Sequence, residues 1–442
     1  MLREPAGIVL ARLFSRFDFA PRRDVVVAVS GGSDSTALLL LLRDYLQDRA
    51  PETRLTVITV DHGLRPESSG EAVEVARLCT GLGIVHATRA WKGAKPASGL
   101  PAAAREARHD LLAQAAAELD TDLVVMGHTA DDQAETVLMR GAREKGRGLA
   151  GMAPATLFVG RTWFVRPLLT ARREQLRDHL RQRGFGWVDD PSNASERFER
   201  PRIRKRLGAV GGESDMAAAL DTAAAAATQR ERMGEAAATF IDRHVTRPVP
   251  GLLRIDPVAF ARLEEKIAVY VLRILLATAG GTPHLPDEER VSALHLRLRT
   301  AMPVRAVLSR ALIDARNAGI FLLREARNLP QPGTMEIGAV WDGRYRLAAE
   351  AQESERRSEI PASGHSDFAP VPESLAKAAL SREPPTSGGE DGAGGLSAIP
   401  VVAPWARFLP SFDLAPARAM ASLIGAPKIP APPFRQHIGA KP

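Results

Sequence analysis

The sequence predicts an α/β fold. A parallel sheet with helices on both sides fills the first half, and a smaller, mostly helical second domain and a partly disordered C-terminal region follow. Three observations lead there. Short β-branched runs such as Asp24–Ser30 (DVVVAVS), Leu55–Asp61 (LTVITVD) and Leu123–Gly127 (LVVMG) are apolar on both faces. Helical patterns separate them, and strands of this kind alternating with helices form parallel sheets covered on both sides. The chain has 442 residues, which at roughly 100–200 residues per domain corresponds to two or three domains.

Taken in order, helices are expected over Thr36–Arg49, Gly70–Leu82, Ala102–Leu119, Ala130–Arg143 and Arg172–Arg183, with a weaker strand over Ile84–Trp91. Gly184–Arg206 reads as an irregular basic stretch. Met216–Val245 is Ala-rich with good helix propensity, and Ile255–Ala279 and Glu288–Leu298 continue as helices. Val304–Glu325 reads as a small β-containing unit. The expected boundaries are 1–212 for the sheet domain, 213–350 for the second domain, 351–399 for a linker and 400–442 for a short C-terminal segment with an apolar island at Pro404–Ile424. The linker is rich in Ser, Glu, Gly and Pro and poor in large apolar residues, the composition of a disordered segment.

Composition narrows the function. With 59 Lys+Arg against 52 Asp+Glu the net charge is +7, a mild bias toward polyanions. Cys79 is the single cysteine, so no disulfide framework, Cys-type zinc site or Cys-x-x-Cys pair forms within one chain. Arg3, Arg12 and Arg16 interrupt the N-terminal apolar residues, unlike a signal peptide. Runs such as Ala37–Leu42 fall far short of the roughly 20 residues that span a bilayer. The expectation is a soluble cytoplasmic protein, and a homodimer is compatible with it.

The sharpest chemical signal is Ser30-Gly31-Gly32-Ser33-Asp34-Ser35, directly after a buried strand and before a helix. Glycines let the backbone turn tightly, and the N–H groups of the turn and helix start converge on an anion. GxxxxGK[ST] with its lysine is absent. Serine hydroxyls serve as the extra donors, and Asp34 is placed to hold a magnesium ion on the phosphates. Read blandly, the hexapeptide is a Gly-Ser connection. Its register between strand and helix favours the phosphate cradle.

Asp132 and Glu135 are spaced i, i+3 and share one face at the start of a helix, with His128 just before them. Two carboxylates and a histidine at a strand's carboxyl end can orient a cationic amine and take its proton; the alternative is capping charge on the helix dipole, the preferred reading for Asp131. Arg105 and Arg108 share another helical face, as surface arginines or as neutralisers of phosphate charge. Arg200, Arg202, Arg204 and Lys205 lie in a basic run suited to a phosphate backbone. No His/Cys/Asp cluster shows zinc-ligand spacing.

The hexapeptide resembles the loop of the PP-loop ATP pyrophosphatases, of the adenine nucleotide alpha-hydrolase-like fold. Five further segments follow in order: Asp61-His62-Gly63-Leu64-Arg65 with Ser68 and Ser69, Ala104–Arg108, Gly127–Thr136, Arg166-Pro167-Leu168-Leu169 and Trp187–Asn193. Together they resemble the motif set of the tRNA(Ile)-lysidine synthetases, strongly over residues 22–207 and weakly through Arg324–Pro330 and Trp341–Arg344. The resemblance implies a PP-loop catalytic domain over 1–212 and a tRNA- or substrate-binding domain over 213–350. It implies ligation of free L-lysine to C2 of the wobble cytidine (anticodon CAU) of tRNA(Ile). ATP first adenylates the C2 oxygen, and pyrophosphate and then AMP depart. Asp34, Asp132, Glu135, His128, Arg105 and Arg108 would be catalytic. Residues 30–35 with Asp61 would hold ATP and magnesium, and His62, Arg65, Arg200, Arg202, Arg204 and Lys205 would contact tRNA. Thr129 stands where the family usually has a second histidine, His109 where it has an aromatic and Pro201 where it has Asn.

Three rivals remain from the sequence. A PP-loop tRNA thiolase holds sulfur or an iron–sulfur cluster on several cysteines, which Cys79 alone does not supply. A glutamine-dependent synthetase lacks its glutaminase domain here. A catalytically inactive tRNA-binding module has no need of the intact Asp34, Asp132 and Glu135.

Overall fold

The strands that are apolar on both faces pair with one another in a single parallel arrangement. The computed structural model describes residues 10–64, 68–141, 146–189, 199–301, 303–331, 336–349, 371–384 and 396–434. It divides into one unit of Met1–Arg230 with Ala431–Pro442 and a second of Glu231–Pro430.

The first unit runs α1 (Leu10–Phe14), β1 (Asp24–Ala28), α2 (Ser33–Arg49), β2 (Arg54–Asp61), α3 (Ser68–Leu82), β3 (Val85–Ala90), α4 (Leu100–Glu118), β4 (Leu123–Met126) and α5 (Ala130–Gly141). It continues with β5 (Ala155–Phe158), β6 (Thr162–Val165), α6 (Arg173–Gln182), α7 (Glu199–Leu207) and α8 (Gly212–His244). Its strands lie in the order β5-β6-β4-β1-β2-β3. β1 pairs in parallel with both β2 and β4, so the chain builds outward to β3 and then returns to the other side of β1. That reversal is a topological switch point, where α/β sheets hold ligands at the strands' carboxyl ends. The β5–β6 hairpin is antiparallel, and β6 extends the sheet beside β4; the sequence reading did not resolve it. Gly160, with φ +70°, makes its turn.

Two element readings need correction. The basic stretch 184–206 is not irregular throughout: α7 occupies its end because Ile203 and Leu207 pack against Ala134 and Val137 of α5. Ile255–Ala279 is not one helix. Ile255 ends β8 (Leu252–Ile255), which pairs with β7 (Val245–Val249). The Asp256 carboxylate then accepts from the N–H groups of Val258 and Ala259 and caps the short α9 (Pro257–Ala261) before α10 (Glu265–Gly280) starts.

The second unit continues with α11 (Glu288–Thr300), β9 (Val304–Leu308), β10 (Ala311–Arg316), β11 (Gly319–Arg324), β12 (Val340–Trp341), β13 (Tyr345–Ala349), α12 (Glu373–Leu380), β14 (Leu396–Pro400), β15 (Phe408–Pro410) and α13 (Leu414–Ile424). Strands β7-β8-β11-β10-β9 form an antiparallel sheet, which extends the β-containing stretch read at 304–325, and β12-β13-β14 form a smaller one. The disordered reading of 351–399 fails for its described part. Leu375 and Ala379 of α12 are buried against Leu252, Leu312, Phe321 and Leu323, and β14 pairs with β13. The boundary expected at 212/213 falls instead inside α8, and the chain's described end rejoins the first unit where Phe434 bridges Phe17. Among the described residues no helix is long and apolar enough to cross a membrane.

Candidate active site at the switch point

The loop between β1 and α2 owes its shape to hydroxyls and one glycine. Gly31 has φ +84°, a region costly for any residue with a side chain. Ser35 Oγ donates to the Gly32 carbonyl (3.0 Å) and accepts from the Ser30 N–H (3.2 Å), which closes the hexapeptide on itself. Gly32 caps α2 without any side-chain acceptor. The first-turn N–H groups of α2 thus face an anion site with the positive end of the helix dipole behind them.

The loop after β4 packs directly against it. A Cβ on Gly127 would lie 3.0 Å from the Asp34 carbonyl oxygen and from Ser35 Cα. Glycine lets the end of β4 approach the first turn of α2 this closely. The α5 carboxylates are thereby brought beside the phosphate loop. Arg173, at the start of α6, ties them together: Nε donates to Asp34 (2.8 Å), Nη2 to Asp132 (2.9 Å) and Nη1 to Glu135 (3.4 Å). Burial opposes its charge, but Asp132 and Asp34 outweigh that and raise its pKa. Burial also raises the pKa of Asp34, against the pull of Arg173. From α7, Arg200 donates to Glu135 (2.6 Å) and Asp132 (3.0 Å), and Arg204 to Glu135 (2.8 Å).

A second group of arginines has the opposite imbalance. Arg108 is pushed down to about 10, first by burial and then by Arg105 and Arg200; Arg166 is pushed to about 9 by burial, Arg105 and Arg108. Arg105 is lowered by burial and by Arg200 and Arg140. Arginine does not give up its proton in proteins. These shifts therefore express how strongly the cluster favours an anion. Nε of Arg108 and Nε of Arg166 are buried without a partner, as is Nδ1 of His128. Burial and the same arginines hold His128 well below its ordinary pKa, so its ring is neutral at pH 7.

Residues 187–189 lie against the loop. The Val188 N–H donates to the Gly31 carbonyl (2.9 Å), and Trp187 carries Arg177 and Arg181 over its ring at 5.7 and 5.6 Å. Asp61, at the end of β2, accepts from the Ser68 hydroxyl (2.7 Å) and the Gly63 N–H (2.8 Å), which hold its pKa low. His62 stands edge-on to Trp91, and burial and then Arg108 lower its pKa.

Residues 30–35, Asp132, Glu135, His128, Arg105 and Arg108 thus lie around one switch point. Arg65 lies outside the described residues. Arg200 and Arg204, read as phosphate contacts, are instead engaged by carboxylates, because α7 docks on α5 through Ile203 and Leu207. Arg202 and Lys205 are exposed. Asp131 is a cap, of α6 rather than of its own helix, accepting from the Arg173 N–H at 2.7 Å. Arg173 and Arg166 were missed as site residues. An arginine in a helix's first turn opposes the dipole, and that misfit was the available signal for Arg173.

The departures also find reasons. Thr129 gives its N–H and hydroxyl to Asp132 Oδ2 (2.9 and 3.0 Å), which fixes that carboxylate. His109 is buried with its ring 4.7 Å from that of Phe164 and 5.8 Å from that of Phe158, and burial drives its pKa to about 3. It fills an aromatic's place as a neutral ring. Pro201 sits in the first turn of α7, where the missing N–H costs nothing.

A strand–SGGSDS–helix loop facing paired carboxylates across a switch point defines a nucleotide-using PP-loop enzyme, and the PP-loop domain family matches residues 7–210. The chain is 48% identical to the tRNA(Ile)-lysidine synthase of Mesorhizobium japonicum over 96% of its length and 97% of the relative's. It is 37% identical to that of Rhizobium meliloti over 97% of each, and 42% identical to that of Brucella anthropi over 77% of each. A U34-tRNA thiolase from Methanococcus maripaludis aligns at TM-score 0.41 and 16% identity, over 48% of this chain and 76% of its own. The chain belongs to the tRNA(Ile)-lysidine synthase family.

Proposed function

We infer that the chain joins the ε-amino group of free L-lysine to C2 of the wobble cytidine in the CAU anticodon of tRNA(Ile), with ATP as the second substrate. The observation that carries this is the span of one guanidinium. Arg173 touches Asp34 of the phosphate loop and both carboxylates of the amine site, so the two half-reactions share one centre.

In the first, the cytidine C2 oxygen attacks the α-phosphorus, the bond to the β-phosphate oxygen breaks, and pyrophosphate leaves. The N–H groups at the start of α2 and the hydroxyl of Ser33 bind the phosphates. Arg108 and Arg166, each with a buried donor to spare, and Arg105 beside them stabilise the negative charge that builds in the transition state. Magnesium fits at Asp34. Its Oδ2 is taken by Arg173, but among the described residues Oδ1 meets only the Ser33 hydroxyl at 3.2 Å, and one carboxylate with phosphates and water is the usual magnesium shell. The ion would neutralise polyphosphate charge there.

In the second half-reaction the amine attacks C2, the C2–O bond breaks, and AMP departs. Lysine's ε-ammonium has a free pKa of about 10.4, so it must be bound as a cation and then lose a proton. Asp132 and Glu135 orient it, and one of them takes the proton. His128, neutral and with Nδ1 open, is a second acceptor beside them.

Mass spectrometry of nucleosides from tRNA(Ile) treated with enzyme, ATP and lysine tests the reading. Lysidine should appear only with all three present. A thiolated cytidine, or ATP consumption without any nucleoside change, overturns it.

A further inference from the structure

We propose that Arg200 and Arg204 are a substrate-operated latch: they occupy the lysine amine's site in the ligand-free protein, and the arriving amine displaces them toward the tRNA backbone. This rests on lysine and tRNA being the substrates of this site.

Asp34, Asp132 and Glu135 carry three negative charges, and Arg173, Arg200 and Arg204 bring three positive ones within 3.4 Å. Both Glu135 oxygens are taken, Oε1 by Arg204 and Arg173 and Oε2 by Arg200 and Arg204. Its side chain is only 1% exposed, so there is no free face for another donor. A fourth cation therefore enters only as a guanidinium leaves. Which one leaves follows from solvation: the Arg173 side chain is 14% exposed, whereas Arg200 and Arg204 are 39% and 35% exposed. The α7 pair already reaches water and gives up little hydration by turning outward. The helix itself has no need to move, because Ile203 and Leu207 anchor it to α5. The two arginines are one helical turn apart and sit among exposed Arg202, Lys205 and Arg206. Once released, they add two charges to a surface suited to phosphates.

By linkage, lysine should then tighten tRNA binding, and tRNA should tighten lysine binding by the same factor. Without ATP no turnover intervenes. Wild-type affinity for tRNA(Ile) should rise roughly tenfold with saturating lysine, within the usual range of such couplings. The plot of log affinity against log salt should steepen by about 1.5, for two contacts at about 0.7–0.9 each. In Arg200→Gln/Arg204→Gln, lysine should bind at least as tightly as to wild type, since its competitors are gone, and should no longer alter tRNA affinity. Tenfold weaker lysine binding by a folded double variant would overturn the latch. So would wild-type tRNA affinity and salt slope indifferent to lysine, in a preparation that makes lysidine when ATP is added. A preparation that makes no lysidine with ATP fails the substrate reading instead, which separates the two.

Discussion

Two clusters of guanidinium and carboxylate groups, one in each unit, are made of the same chemistry and differ in what can reach them. In the second unit the Asp342 carboxylate accepts from Arg324 (3.0 Å), Arg344 (2.9 Å) and Arg310. Arg324 also donates to the carbonyls of Arg327 and Asn328. The side chains of Asp342 and Arg324 are 0% exposed. The two segments over which the family resemblance was weak, 324–330 and 341–344, thus meet at one buried carboxylate. In the first unit three carboxylates face three arginines, and exposure is graded from a buried glutamate to half-solvated guanidiniums. Pairing does not separate the two clusters, since both are fully paired. Solvent access does, by degree: of the three arginines on Asp342 only Arg310 reaches water, at 39% exposure, whereas in the first unit two of three do, Arg200 and Arg204, the pair that the proposed latch would exchange for a substrate.

Four substitutions break or sharpen that comparison. The largest effect is expected from Asp34→Ala, which removes the carboxylate beside the phosphates while the sheet and α2 remain. A loss of about 4 kcal/mol of transition-state stabilisation is roughly a 1,000-fold slower release of pyrophosphate. Near-normal release by the folded variant would remove Asp34 from the chemistry. Asp342→Ala comes next and acts on stability. It strands buried arginines, and breaking a buried pair costs about 3–5 kcal/mol. Urea unfolding should show a lower midpoint, and a shift equivalent to less than 1 kcal/mol would mean that water already reaches this cluster.

Glu135→Gln tests the opposite case. Its arginine partners on α7 can turn to water, so the melting temperature should change little. Lysine transfer should fall about 100-fold, within the range of lost general-base catalysis. AMP-labelled tRNA should still form and should persist when lysine is added. Failure to form it would assign the carboxylate to adenylation.

The smallest effect is a pH dependence. His109 has a folded pKa of about 3 against about 6.5 unfolded. Between those values the unfolded chain binds more protons, so stability falls as pH drops from 6.5 toward 3. His109→Phe keeps the ring against Phe158 and Phe164 and removes that proton site. Its stability should therefore decline less steeply over this window, with little change above pH 7. An unchanged acid slope would show that the imidazole is solvated in the native state.

The sequence by itself determined the sheet, the phosphate loop and the placement of Asp132 and Glu135 on one helical face. Each of these is encoded within a few residues: continuous apolar β-branched runs and period-3.6 apolar patterns, glycines where the backbone must bend, and an i, i+3 spacing. The β5–β6 hairpin escaped because its strands are short and its apolar run is broken only by one turn. What carboxylates and arginines do with one another was decided by tertiary structure alone. Arg173 reaches Asp34 across 139 residues of chain, and Arg204 reaches Glu135 across 69. In the sequence each is one arginine among many. Only the return of β4 to the open side of β1, and the docking of α7 on α5, make them partners. The reason is physical. Local patterns fix backbone conformation through sterics and burial, whereas an ion pair needs two side chains within about 4 Å, a distance that only the packed chain defines.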